Sequence, residues 1–226
     1  MPSLLITGAN RGIGLAFVRS YAADGWQVHA CCRHPDKAKD LKAIDGAVTC
    51  HKLDVTDGLQ VASLAREMAD TAFDILINNA GIYGQRTGFG ETDYDEWLEV
   101  FKVNSLAPMR LAERFVEHVE RSERKLIVNI SSRMGSIGSN DRGGRYVYRS
   151  SKAALNMITK GLANDLAPRG ITVICFHPGW VQTDMGGEDA DISTTDSVAG
   201  MRKVIEGISS DDSGGFLNYD GSPIPW

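Results

Sequence analysis

Two hydrophobic periods alternate along the chain. Short apolar runs, Leu4-Leu5-Ile6, Ile75-Leu76-Ile77 and Leu126-Ile127-Val128 among them, predict strands over residues 3–7, 27–32, 48–53, 74–78, 125–129, 172–176 and, from a shorter run, 215–218. Near-continuous apolar runs suit strands covered on both faces, as in a parallel sheet. Between them, apolar residues recur every three or four positions and predict helices over 13–23, 59–71, 94–121, 147–167 and 198–208. Leu155, Ile158, Leu162 and Leu166 mark the buried stripe of one of these helices. Strand–helix alternation from end to end predicts a doubly wound α/β parallel sheet with helices on both faces. No linker or repeat interrupts it, so residues 1–226 read as one domain. The small, polar stretches 135–144 and 186–196 follow predicted strands, at the sheet edge where open α/β folds place their ligands.

Composition narrows the function classes. With 24 Lys+Arg against 29 Asp+Glu the formal net charge is −5, and no basic stripe appears, which argues against nucleic-acid binding. The four cysteines form no Cys-x-x-Cys, and the five histidines are scattered, so neither a disulfide scaffold nor a metal site is expected. Residues 1–8 lack a basic leader and read as a first strand. No stretch approaches the ~18 apolar residues of a membrane span. The chain reads as a soluble, reduced, cytoplasmic protein.

Candidate chemistry begins at Thr7-Gly8-Ala9-Asn10-Arg11-Gly12-Ile13-Gly14, between the first strand and the first helix. Gly8 permits a sharp turn, Gly12 lets a pyrophosphate approach the backbone, and Gly14 allows close helix–strand packing. The helix N-terminus offers free N–H groups and partial positive charge to phosphates. The glycines are spaced Gly-x-x-x-Gly-x-Gly, not the Gly-x-Gly-x-x-Gly of the standard dinucleotide fingerprint. Further marks follow in order: Asp54-Val55, Asn78-Asn79-Ala80-Gly81, Asn104, Ser132, Tyr148-x-x-x-Lys152, and Pro178-Gly179 with Thr183. In these features the chain resembles the short-chain dehydrogenase/reductase family, with its Rossmann-like fold. Three stretches, residues 146–156, 177–187 and 220–226, resemble the C-factor and Sniffer-type carbonyl reductase branch.

The resemblance implies a nicotinamide cofactor held by Gly8, Asn10, Arg11, Gly12, Ile13 and Gly14. It places Asp54 and Val55 at the adenine, and Asn78, Ala80 and Gly81 along the ribose. Tyr148, Lys152, Pro178, Gly179, Val181 and Thr183 fall near the nicotinamide, with Thr183 reaching its carboxamide. Charge selects between cofactors. An NAD enzyme usually ends its second strand with a carboxylate for the ribose 2′-hydroxyl. Here that position is Cys32, followed by Arg33, with Arg11 in the glycine loop. Two guanidiniums would clamp a 2′-phosphate, each contact adding about 1.5–3 kcal/mol, and the expected cofactor is NADP(H). The competing reading makes both arginines solvated surface charges.

Tyr148 and Lys152 are four apart and share a helix face. An ammonium ~4 Å from the phenol would favour phenolate by up to ~4 kcal/mol, or about three pKa units, bringing the group near 7. Tyr148 then donates a proton to the carbonyl oxygen, and Lys152 tunes it. Ser132 stabilises the developing oxyanion, and Asn104, by resemblance, anchors a water linking Lys152 to solvent. Ser131 competes for the serine role, though the family register favours Ser132. Tyr146 has Ser150 four residues on and cannot be tuned in this way.

Loops 83–93, 133–145 and 180–195 are expected to frame an apolar pocket from Tyr83, Phe89, Met134, Trp180 and Met185, with no anion clamp unless Arg86, Arg133 or Arg142 turns inward. Segment 186–196 reads either as a hinged lid or as a surface loop. The expected reaction is NADPH-dependent reduction of an aldehyde, ketone or quinone, with a homo-oligomer (dimer or tetramer) as a family-level expectation. The alternative is a cofactor-binding signalling protein of the C-factor type with little turnover.

Overall fold

A computed structural model describes residues 1–226. Seven strands form one sheet: β1 (Ser3–Thr7), β2 (Gln27–Cys32), β3 (Val48–Lys52), β4 (Ile75–Asn78), β5 (Leu126–Ile130), β6 (Thr172–His177) and β7 (Phe216–Asn218). Their order is β3-β2-β1-β4-β5-β6-β7, and every neighbouring pair is parallel. The order reverses between β1 and β4, which opens a crevice beyond the carboxyl ends of those two strands.

Period-two alternation divides each apolar run between two cores. Leu4, Ile6, Ile75, Ile77, Leu126 and Val128 point to one face, where α1 (Gly12–Ala23) and α7 (Thr194–Gly207) pack. Leu5, Leu76 and Ile127 point to the other, under α3 (Gly58–Glu67), α5 (Ala107–Glu120) and α6 (Tyr146–Leu166). A four-residue helix α2 (Lys39–Lys42), absent from the sequence expectation, tucks Leu41 against the first core.

Three expected helices differ in extent. That expected over 198–208 starts a turn earlier, at Thr194, where the Ser193 hydroxyl caps it by accepting from the Asp196 amide. Segment 59–71 is helical only to Glu67, because the following turn directs the Ala69 and Thr71 carbonyls to the Arg121 guanidinium. Segment 94–121 is two α-helices, α4 (Tyr94–Phe101) and α5, joined by a π-helical turn over Lys102–Leu106. Pro108 is the cause. It has no N–H for the carbonyl of Asn104 and its ring clashes there, so the regular ladder cannot run through. The wide turn falls on Asn104 itself, which is fully buried. No helix is long and apolar enough to cross a membrane.

Candidate active site

At the crevice lies a cleft of about 1200 Å³, larger than the roughly 300–1,000 Å³ of most small-molecule sites. Its floor is the glycine loop. Gly12 takes φ +53 with Thr183 directly above it, and a Cβ on Gly14 would stand 2.3 Å from the Gly8 carbonyl oxygen. Close packing at Gly14 and a left-handed turn at Gly12 therefore both require glycine. Thr7 and Asn79 lock the loop in place. The Thr7 hydroxyl accepts from the Asn79 and Ala80 amides at 3.1 Å, and Asn79 Nδ2 donates to the Thr7 and Gly8 carbonyls at 2.9 and 3.1 Å.

No side chain caps the N-terminus of α1, and Gly12, Ile13 and Gly14 line the cleft. An uncapped helix start among glycines is a built anion cradle, so the floor fits a dinucleotide pyrophosphate. Of the other expected cofactor residues, Gly8, Asn10, Arg11, Arg33, Asp54, Val55, Ala80, Gly81, Tyr148, Lys152, Pro178 and Thr183 also line the cleft, together with Cys32.

Three expected contacts lie off the wall. Asn78 is buried behind it, donating to Asn129 Oδ1 at 2.8 Å. Gly179, at φ +88, is closed in by Ile192 and Tyr219. Val181 is buried and bridges to Ile192. Asn79, by contrast, lines the cleft. Strand parity hides that exchange, since both asparagines sit at the end of one strand. Arg11 is also not free: it pairs with Asp184 at 2.6 Å across the mouth, with both side chains largely exposed.

The candidate catalytic corner is built on β5, α6 and the loop after β4. Tyr148 and Lys152 are buried on one face of α6, and Ser132 is buried just after β5. Ser132 Oγ accepts from the Met134 amide at 3.2 Å, and Ser132 pulls the Tyr148 phenol's pKa down against the effect of burial. Ser131, the competing serine, lines the cleft while its hydroxyl donates to Asn156 Oδ1 at 2.5 Å; Ser132 does not line the cleft. Asn104 clamps the loop after β4, accepting from the Ile82 amide at 2.9 Å and donating to the Ile82 carbonyl at 2.8 Å and to Ser151 at 3.0 Å. Both of its side-chain polar atoms are thereby engaged, Oδ1 by that loop and Nδ2 by the loop and α6. Gly81 keeps the space between Asn104 and Lys152 open, because a Cβ there would lie 3.4 Å from Asn104 Oδ1 and 3.6 Å from Lys152 Nζ.

The electrostatics differ from the sequence expectation. Lys152 Nζ donates to the Ile130 carbonyl at 2.8 Å and stands 5.8 Å from the Tyr148 ring centre. Burial dominates both groups. It pushes the phenol above its ordinary value, against the downward pull of Ser132, and pushes the Lys152 ammonium down to about 8. The phenol is thus not brought near 7 in the cleft as it stands, because the ammonium is aimed at a backbone carbonyl and both groups lose water.

Sequence reasoning missed the aromatic support. Tyr83 stacks on Tyr148 with ring centres 4.3 Å apart and planes 15° apart, and its hydroxyl reaches Met134 Sδ at 3.5 Å. Tyr83 was legible only as a pocket residue, since nothing in the spacing from 83 to 148 signals a stack. Met185 lines the cleft, whereas Phe89 is 92% exposed and leaves the expected pocket wall. Segment 180–192 is knit by its own bonds: the Trp180 indole donates to the Gly186 carbonyl at 2.8 Å, and Gln182 donates to Ile192 at 2.9 Å.

Comparison with known proteins agrees with this geometry. The model of the short chain dehydrogenase family matches residues 3–193. The C-signal protein of Myxococcus xanthus is 43% identical over 153 residues, 68% of this chain and 92% of that protein. The carbonyl reductase Sniffer of D. melanogaster superposes over the whole of both chains with a TM-score of 0.95 at 32% identity. An NADPH-bound carbonyl reductase from chicken fatty liver does so with a TM-score of 0.92 at 34% identity, over 100% of this chain and 99% of that one. With a family model spanning most of its length and its strands, glycine loop and Tyr–Lys pair in the matching order, this chain is an oxidoreductase of the short-chain dehydrogenase family.

Proposed function

We propose that the protein reduces the carbonyl of a small aldehyde, ketone or quinone with NADPH, and that Tyr148 is the proton donor. The observation that carries this reading is the buried pair Tyr148 and Lys152, which share a face of α6 and line a glycine-floored cleft, with Ser132 buried just after β5. Bound NADPH supplies the hydride that reaches the carbonyl carbon. The chain supplies the rest. Burial keeps the Tyr148 phenol protonated at neutral pH, the state required of an acid in the direction of reduction. Ser132 offers its hydroxyl to the same carbonyl oxygen as negative charge grows there. Lys152, with its ammonium held on the Ile130 carbonyl, favours the phenolate left behind.

NADPH over NADH follows from Cys32 and Arg33 at the end of β2. A carboxylate at that position would repel a 2′-phosphate, and the exposed guanidinium attracts one. The chicken reductase, similar over its whole length, is described as NADPH-bound, which supports the same choice.

A second reading rests on the 43% identity to a protein named C-signal: a cofactor-binding signalling protein with little turnover. The test is NADPH oxidation by purified protein across a panel of reactive carbonyls, with Tyr148→Phe run alongside. Turnover in the wild type and its loss in the variant support the reductase. NADPH binding with no turnover on any carbonyl favours the signalling reading.

A further inference from the structure

Three arginines lie on the segments that carry Tyr83 and Tyr148, although the chain as a whole carries −5. Arg86 lies on the loop after β4, and Arg145 and Arg149 flank Tyr148 at the head of α6. None of the three takes part in any ion pair of the structure. The carboxylates of the same segment keep their charge but accept from backbone amides, Glu96 from Gln85, Glu91 from Gly88, and Asp93 from Asp95 and Glu96, and none pairs with these arginines.

Arg86 is oriented rather than waving free. Its guanidinium carbon lies 5.1 Å over the ring centre of Tyr83, and one terminal nitrogen donates to the Met185 carbonyl at 3.0 Å. Tyr83 in turn stacks on Tyr148. A guanidinium carries five N–H donors in a fixed fork that matches a carboxylate, and here only one of them has a partner within the protein. Arg145 backs this corner. It holds a left-handed backbone, φ 54, costly for a residue with a side chain, and its amide donates to Thr87 on the Arg86 loop at 3.3 Å. Its Nη1, like Arg149 Nε, is shielded from solvent and has no hydrogen-bond partner. An oriented guanidinium with free donors, exposed to solvent and separated from the proton donor by the Tyr83 ring, favours an anionic group at that distance from the reacting carbonyl.

We propose that Arg86 is a specificity-determining residue, and that the preferred substrates are carbonyl compounds bearing a carboxylate about one aromatic ring's length from the carbonyl. This rests on the carbonyl reductase reading of the same site. The probes are 4-carboxybenzaldehyde and its methyl ester, which share a carbonyl and a length and differ in charge. The expected wild-type kcat/KM is at least tenfold higher for the acid, and in Arg86→Gln that ratio falls tenfold or more. A ratio equal in wild type and variant, or a wild-type preference for the ester, overturns the proposal. Calorimetric titration of 4-carboxybenzaldehyde into both proteins separates this failure from that of the parent reading. If neither aldehyde is turned over, the reductase reading fails. Binding at least tenfold weaker in Arg86→Gln then still upholds the anion site, and equal or absent binding overturns it.

Discussion

The two sides of the β1/β4 crevice are built by different means. On the β1–α1–β2 side, the cleft is made of backbone: glycines, amides and an uncapped helix start, braced by Thr7 and Asn79. On the β5–α6 side it is made of side chains borrowed from distant segments, with Tyr83 stacked on Tyr148, Ser132 beside it and Asn104 clamping Ile82. Backbone recognition constrains a short local sequence tightly. A side-chain constellation constrains only the geometry at which remote residues meet, and many sequences could satisfy it. The first side is suited to a ligand of fixed shape, the second to a chemistry whose substrate can vary.

The sharpest way to break the comparison is Tyr148→Phe. Removing the hydroxyl should cost about three orders of magnitude or more in turnover, while NADPH binding, measured by fluorescence titration, stays within a few fold. A variant that reduces carbonyls at near wild-type rate would take the chemistry away from the α6 side. Next comes pH. Lys152 is charged below about 8 and neutral above it, so kcat for reduction should fall as pH rises through that value, by up to about tenfold per unit. A profile flat from pH 7 to 9.5 would detach Lys152 from the proton transfer.

On the other side, Arg33→Asp should lower the NADPH over NADH preference about tenfold or more, the value of one charge-assisted contact exchanged for a repulsion. Steady-state kinetics with both cofactors reads this directly, and an unchanged ratio makes Arg33 mere surface charge. The smallest effect is expected from Asp184→Ala. It frees Arg11 from an exposed ion pair of the kind worth about 0–1 kcal/mol, so NADPH should bind no more than a few fold more tightly. A large loss of affinity instead would show that the Arg11–Asp184 bridge itself closes over the cofactor.

Much of the fold was legible beforehand because it rests on repeated local signals. Leu4, Leu5 and Ile6 read as a strand covered on both faces, and they do divide between the two cores. The broken 94–121 helix was legible too, had Pro108 been read as a residue that denies the Asn104 carbonyl its partner. The Asn78/Asn79 exchange was not, because which asparagine faces the cleft depends on how Thr7 and Asn129 approach from neighbouring strands. The phenol's protonation was misjudged for a similar reason. Spacing puts Tyr148 and Lys152 on one face, but it says nothing of the Ile130 carbonyl that takes the ammonium or of the burial that raises the phenol.

By itself, the sequence determined the alternating architecture, the glycine floor and the shared helix face of Tyr148 and Lys152, since hydrophobic period, glycine placement and helical spacing are local properties of a chain. Only the tertiary structure decided that the Ser131 hydroxyl goes to Asn156, that Tyr83 stacks on Tyr148, that Arg11 is already paired, and that Arg86 makes no ion pair where it bonds the Met185 carbonyl. Each of those depends on the approach of segments tens of residues apart. That approach is set by the packing of two cores against one sheet and leaves no periodic trace in the sequence.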